Sequence, residues 1–94
     1  MIKLVRLVSG EELLCNVKGE EESSITVTDV LIMVPTGEGK IGVAEYMPYT
    51  EINKGVTIDK QHVMFMVDAV DQMSNAHKER FGGVIVPDTK LVGV

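Results

Sequence analysis

The first third of the chain reads as strand, tight turn, strand, acidic turn and long strand. Residues 2–8, Ile-Lys-Leu-Val-Arg-Leu-Val, form the first strand, and Ser9-Gly10-Glu11-Glu12 the turn. Leu13, Cys15 and Val17 then alternate with Leu14, Asn16 and Lys18, the two-residue period of a sheet with one buried face. Residues 19–24 break the pattern, and Ile25 and Val27 resume it against Thr26 and Thr28. After Asp29 the run Val30-Leu31-Ile32-Met33-Val34 is apolar at every position, as in a strand covered on both sides. Asp29 stands at the switch, where a bulge or sharp bend is expected. A meander bent in this way is how a small open barrel starts.

The remaining segments extend that barrel. Pro35-Thr36-Gly37-Glu38-Gly39 has the composition of a turn. A fourth strand follows to about Met47, where Gly42 and Ala44 leave room for another backbone. Pro48 and Asn53-Lys54-Gly55 bracket a loop. Residues 56–67 hold a short strand and a final one, divided by the turn Asp59-Lys60-Gln61-His62, with Ile58, Val63, Phe65 and Val67 expected inward. A helix is expected over about 69–81. Asp68 can cap it, Asp71 lies in its first turn, Lys78 and Arg80 in its last, and Gly82 stops it. Val70, Met73, His77 and Phe81 share one helical face. The tail, residues 83–94, is apolar and is expected to pack on its own domain or across a subunit interface. The fold class is therefore mainly β: a five-stranded, strongly bent antiparallel open barrel with a C-terminal helix and an apolar tail, in one domain.

A chain of 94 residues buries a thin core, and such chains gain stability from disulfides, metals or self-association. Cys15 is the only cysteine, which removes disulfides within the chain, and His62 and His77 lack metal-ligand spacing. Homo-oligomerisation through the barrel's edge strands remains the expectation. Cys15 in phase with Leu13 and Val17 reads as a buried small hydrophobe in a reducing compartment. Lys3, Arg6 and Glu11 interrupt any secretory leader, and the longest apolar run, Val30 to Pro35, is too short to span a bilayer. A soluble cytoplasmic protein without membrane contact is expected. The net charge of −5 argues against sequence-independent binding of duplex nucleic acid but leaves room for a local basic site. Glu20-Glu21-Glu22 reads as a solvated turn.

No catalytic constellation is present: no nucleophile elbow, P-loop, H-E-x-x-H or G-x-G-x-x-G. Glu11 and Glu12 are neighbours at a strand start and point to opposite faces, so they cannot act jointly on one substrate. Neither an enzyme nor a cofactor is expected. Four features are weighed for binding. Lys60, Gln61 and His62 combine a cation, an amide and an imidazole in one turn, either an ordinary polar turn or a holder for a phosphate and a base edge. Lys54 offers a second cation. Tyr46 and Tyr49, around Met47-Pro48, are either packing residues or platforms for unpaired bases. His77, beside Met73 and Phe81, reads as a packed histidine.

Leu4, Leu7 and Ser9-Gly10 at the first turn, followed by Leu13, Val17, Ile25, Val27 and Asp29, resemble the first motif of the Sm/LSm family over roughly residues 2–67. That resemblance implies five strongly curved antiparallel strands, subunits joined edge to edge into rings, and a pore or face that binds single-stranded RNA. The family holds a base with an Asp and an Asn in the loop between its second and third strands; residues 19–24 here carry no Asn and three glutamates. Lys60 stands in the turn where the family has Arg-Gly. Nucleic-acid contact, RNA or DNA, is thus expected to rest on the later turn around Lys60. The whole chain also looks like small uncharacterised proteins of cyanobacterial phages and marine metagenomes, through Ser9-Gly10-Glu11-Glu12-Leu13, Met47-Pro48-Tyr49, His62-Val63-Met64-Phe65 and Phe81-Gly82-Gly83. This implies a phage-encoded protein of the infected host's cytoplasm. A protein-binding adaptor on the same ring, without nucleic acid, is the competing expectation.

Overall fold

A computed structural model describes residues 1–81. The expected stop at Gly82 and the apolar tail lie outside the described residues. Among the described residues six strands and one helix follow in order: β1 (Ile2–Leu7), β2 (Glu12–Glu20), β3 (Ser24–Gly37), β4 (Lys40–Glu45), β5 (Val56–Asp59), β6 (Val63–Asp68) and α1 (Asp71–Phe81). The strands form one antiparallel sheet in the order β4-β3-β2-β1-β6, and the short β5 pairs with β3 off that path. This is the mainly β, open architecture expected, with the helix after the strands. Among the described residues no helix is long and apolar enough to cross a membrane.

The sheet is strongly curled, and the pairing shows why. Nine residues of β2, laid straight, would hold its ends roughly 26 Å apart. The single 3-10 turn Lys60–His62 nevertheless reaches both ends. The Lys60 N–H donates to the Ser23 carbonyl at 2.8 Å beyond the far end of β2, and the His62 carbonyl accepts from Val8 N–H at 2.9 Å beside its start. Three residues span no more than about 11 Å, so the sheet must bend back on itself. It stops short of closing, because β5 and β6 meet only through this turn.

The bend is made at Asp29. Leu14 pairs with Leu31 and Asn16 with Thr28, so Cys15 alone faces both Asp29 and Val30, a β-bulge. Asp29 has φ +55°, left-handed backbone that Asp tolerates better than most residues. The bulge leaves two backbone groups without ladder partners. The His77 imidazole donates through Nε2 to the Asp29 carbonyl at 2.6 Å, which fixes the proton on that nitrogen. The Asn53 side-chain oxygen accepts from Val30 N–H at 2.8 Å. His77 is the packed histidine expected, buried and tilted against Phe81 at 5.0 Å between ring centres.

The core occupies the inside of the curl: Val5, Leu13, Cys15, Ile25, Val27 and Val30, with Val17, Ile58, Val63 and Met66 packed around it. Leu14 and Leu31 are also fully buried but stand apart from that cluster. They point to the outer face, where α1 lies against β1 and β2. Two-sided burial in β3 is confined to Val30 and Leu31; Ile32, Met33 and Val34 are half-buried.

Several expectations are corrected. Phe65 and Val67 are exposed, at 44% and 47%, and Met66 packs inward instead. Arg6 pairs with Phe65 but Leu7 with Val63, so Met64 is an extra residue that reverses the alternation. Strand β3 runs on to Gly37 through Pro35; β2 no longer pairs beyond Ile32, so the missing N–H of Pro35 disrupts no ladder there. The hairpin loop shrinks to Glu38 and Gly39, both at positive φ, as a two-residue primed turn requires. What a side chain at Gly42 would meet is the Thr36 methyl at 3.0 Å, not a backbone. The helix starts at Asp71, not 69: Val70 offers its carbonyl to Met73 and Ser74 and is itself exposed, while Asp68 ends β6 in an ion pair with Lys3.

Asn53→Ala, which strands the Val30 N–H, should lower unfolding free energy by about 1–3 kcal/mol. Asp29→Gly, which relieves the left-handed backbone, should hold or raise it. Urea titration measures both, and an unchanged midpoint in Asn53→Ala would mean the bend stands without that bond.

Candidate nucleic-acid interface

Three connections converge on one rim of the barrel: the β1–β2 turn, the β2–β3 turn and the Lys60–His62 turn. The last is shaped locally by Asp59, whose carboxylate accepts from Gln61 N–H at 3.3 Å. The bonds of Lys60 to Ser23 and of His62 to Val8 anchor it on either side. Gln61 and His62 are exposed. The Lys60 ammonium lies 3.0 Å from the Glu20 carboxylate.

The structure thus brings Lys60, Gln61 and His62 together, and places the other candidates apart from them. Lys54 ends a 3-10 turn, Ile52–Lys54, at the opposite end of β5, and pairs with Glu51 at 3.5 Å. Tyr46 packs against the core, and its hydroxyl donates to Glu11 at 2.9 Å, so its ring is committed to holding β4 against the β1–β2 turn. Tyr49, 84% exposed in the connection from β4 to β5, is the tyrosine with a free face.

Glu11 is the centre of a small network at this rim. The Ser9 hydroxyl and, secondarily, the Tyr46 hydroxyl donate to its carboxylate and hold it below the ordinary value of 4.5, against a smaller opposing effect of desolvation. Burial, the bond to Glu11 and the nearby negative charge push the Tyr46 phenol up. Beside them Arg6 pairs with Glu12 at 2.5 Å. The sequence alone does not mark Glu20, Glu11 or Asn53 as parts of a site. Their partners are 40, 35 and 23 residues away in the chain, and only the strand register brings them together.

Cys15 is buried, and desolvation pushes its thiol up to about 12. Among the described residues no three His, Cys, Asp or Glu side chains are grouped to hold a metal. In comparison with known proteins, no family model and no curated protein matches the chain.

Two outcomes follow from these groups. Because thiolate is the reactive form, Cys15 should resist Ellman's reagent in the native protein and react fully in guanidinium; equal rates in both would contradict its burial. Glu11 is more acidic folded than unfolded, so its contribution to stability is present above about pH 4.5 and is lost as pH falls through its lower folded value. Tyr46→Phe should make melting temperature less steep in pH as pH falls below about 4.5, and an unaltered slope would show that Ser9 alone sets the acidity.

Proposed function

We propose that the protein is an Sm-like ring subunit that binds single-stranded nucleic acid, RNA in preference to DNA, at the rim formed by Lys60, Gln61 and His62. The observation that carries this reading is the curled, unclosed sheet with that turn bridging both ends of β2. Two edges stay unpaired among the described residues: β6 on one side and the flank made by β4 and β5 on the other. Met64, Phe65 and Val67 on β6 and Ile41 on β4 are exposed apolar side chains on those edges. A chain with two different open edges joins head to tail, and a fixed rotation closes such contacts into a ring. Repetition then sets one Lys60–His62 turn per subunit around a common axis, a belt of cations on an acidic body. Exposed Gln61 and His62 suit the edges and faces of unpaired bases, and Tyr49 offers a further stacking face. On this reading the protein would act in the cytoplasm of an infected bacterium, which the likeness to small phage proteins supports.

One observation favours a second reading. Lys60 is neutralised by Glu20, and Glu21 and Glu22 follow at the same rim. A ring with an acidic rim suits a protein-binding adaptor that never touches nucleic acid.

Light scattering at micromolar concentration should give a mass several times that of the subunit; a monomer mass overturns the ring. Fluorescence anisotropy at low salt should show binding of short oligo-U or oligo-A. Lys60→Ala should weaken it and reduce the salt slope by about 0.7 for each phosphate that is no longer neutralised. An absence of binding at low salt, together with host-protein capture that survives nuclease, would favour the adaptor.

A further inference from the structure

The pairing of Lys60 with Glu20 differs in kind from the other ion pair of a candidate cation. Lys54 and Glu51 are about four-fifths exposed and lie three residues apart in one 3-10 turn, closed by the bond from Lys54 N–H to the Glu51 carbonyl at 3.0 Å, so their pairing is local and joins no separate parts of the chain. Lys60 and Glu20 are 34% and 52% exposed, and their backbones are fixed by the sheet. Glu20 is the last residue of β2 and pairs with Ile25; Asp59, immediately before Lys60, pairs with Ser24. The Lys60 N–H is itself bonded to Ser23, and Glu21 N–H to Ser24. Two turns from distant parts of the chain therefore present an ammonium and a carboxylate to each other from rigid strand ends, at 3.0 Å.

We propose that Glu20 is an internal competitor for the phosphate that Lys60 would hold, so that a nucleic-acid strand binds only by displacing this carboxylate. The inference rests on the nucleic-acid reading above and adds its regulation. A carboxylate and a phosphate present the same kind of anionic oxygen to an ammonium. Occupied by Glu20, Lys60 offers little to a single phosphate or to a stray anion. A longer strand, held also by Gln61, His62 and neighbouring subunits, gains enough from several contacts to replace it. Glu20 thereby sets a threshold of ligand length, and the ring discriminates against short or weakly held anions without any change of shape.

The test compares binding of a labelled oligo-U decamer by wild type, Glu20→Gln, Glu22→Gln, Lys60→Ala and the Glu20→Gln/Lys60→Ala double variant, each first confirmed by light scattering to have the wild-type mass. Glu22→Gln removes the same charge from the same turn and controls for long-range attraction. Glu20→Gln should bind about two- to fivefold more tightly than Glu22→Gln, the range of one partly exposed ion pair. That excess should vanish when Lys60 is absent, as a pairwise coupling must. Equal affinities for Glu20→Gln and Glu22→Gln, or an excess that persists without Lys60, overturn the competitor role while leaving binding intact. Failure of every variant to bind at low salt overturns the nucleic-acid reading itself, and this inference with it.

Discussion

At Asp29 and Val30 the long strand β3 gives up two positions in its ladder with β2, and both freed backbone groups lie in partly buried surroundings. Left unpaired, each would cost about 1–3 kcal/mol. The protein answers with two side chains from separate segments: His77 of α1 for the Asp29 carbonyl, and Asn53 of the 3-10 turn for the Val30 N–H. The Val30 carbonyl is meanwhile taken by Tyr46 N–H at 3.2 Å, just past β4. One bend thus fixes where the helix crosses the outer face and where the β4–β5 connection folds back. It also accounts for a helix as short as 11 residues persisting with modest amphipathicity, since tertiary contacts anchor it from its own middle.

The same bend decides what the edges look like. Because β3 turns at Asp29, its outer flank divides: residues 31–37 pair with β4, and residues 24–27 with β5. Residues 46–55 bridge the corner between them. The far edge, β6, carries its own irregularity at Met64, which turns Phe65 and Val67 out of the core. Bulges at barrel rims commonly re-aim side chains in this way. Among the described residues, apolar groups are therefore exposed along strands whose backbone groups are also open, which is the condition for edge-to-edge association.

Much of this is legible because alternation is a local signal. Leu13, Cys15, Ile25 and Val27 are buried as their period demands, and the change of pattern after Asp29 marks the bend correctly. Errors arise where a single residue slips the phase. Nothing in Val63-Met64-Phe65-Met66-Val67 reveals which residue is extra, because all five are apolar; the pairing with β1 decides it. Pro35 suggests a turn because its cost depends on whether a partner strand lies on its N–H side, which composition does not encode. At the rim, Lys60, Gln61 and His62 can be found together because they are consecutive. The roles of Glu20 and Glu11 stay hidden because charge pairing across 35 or 40 residues depends on register and curl together.

The electrostatics of the rim constrain any ligand that suits it. With a net charge of −5 per chain, assembly multiplies repulsion of polyanions as fast as it multiplies Lys60. Duplex nucleic acid, held mainly by many cations displacing counterions, gains little from such a surface. A single strand differs, because its bases present flat faces and hydrogen-bonding edges that need no net positive field. On the proposed reading, most of the affinity then has to come from contacts such as those of exposed Gln61, His62 and Tyr49, with Lys60 supplying position at one phosphate. On the same reading the acidic turn of residues 19–24 would suppress attraction at a distance and leave recognition to groups that act only on contact.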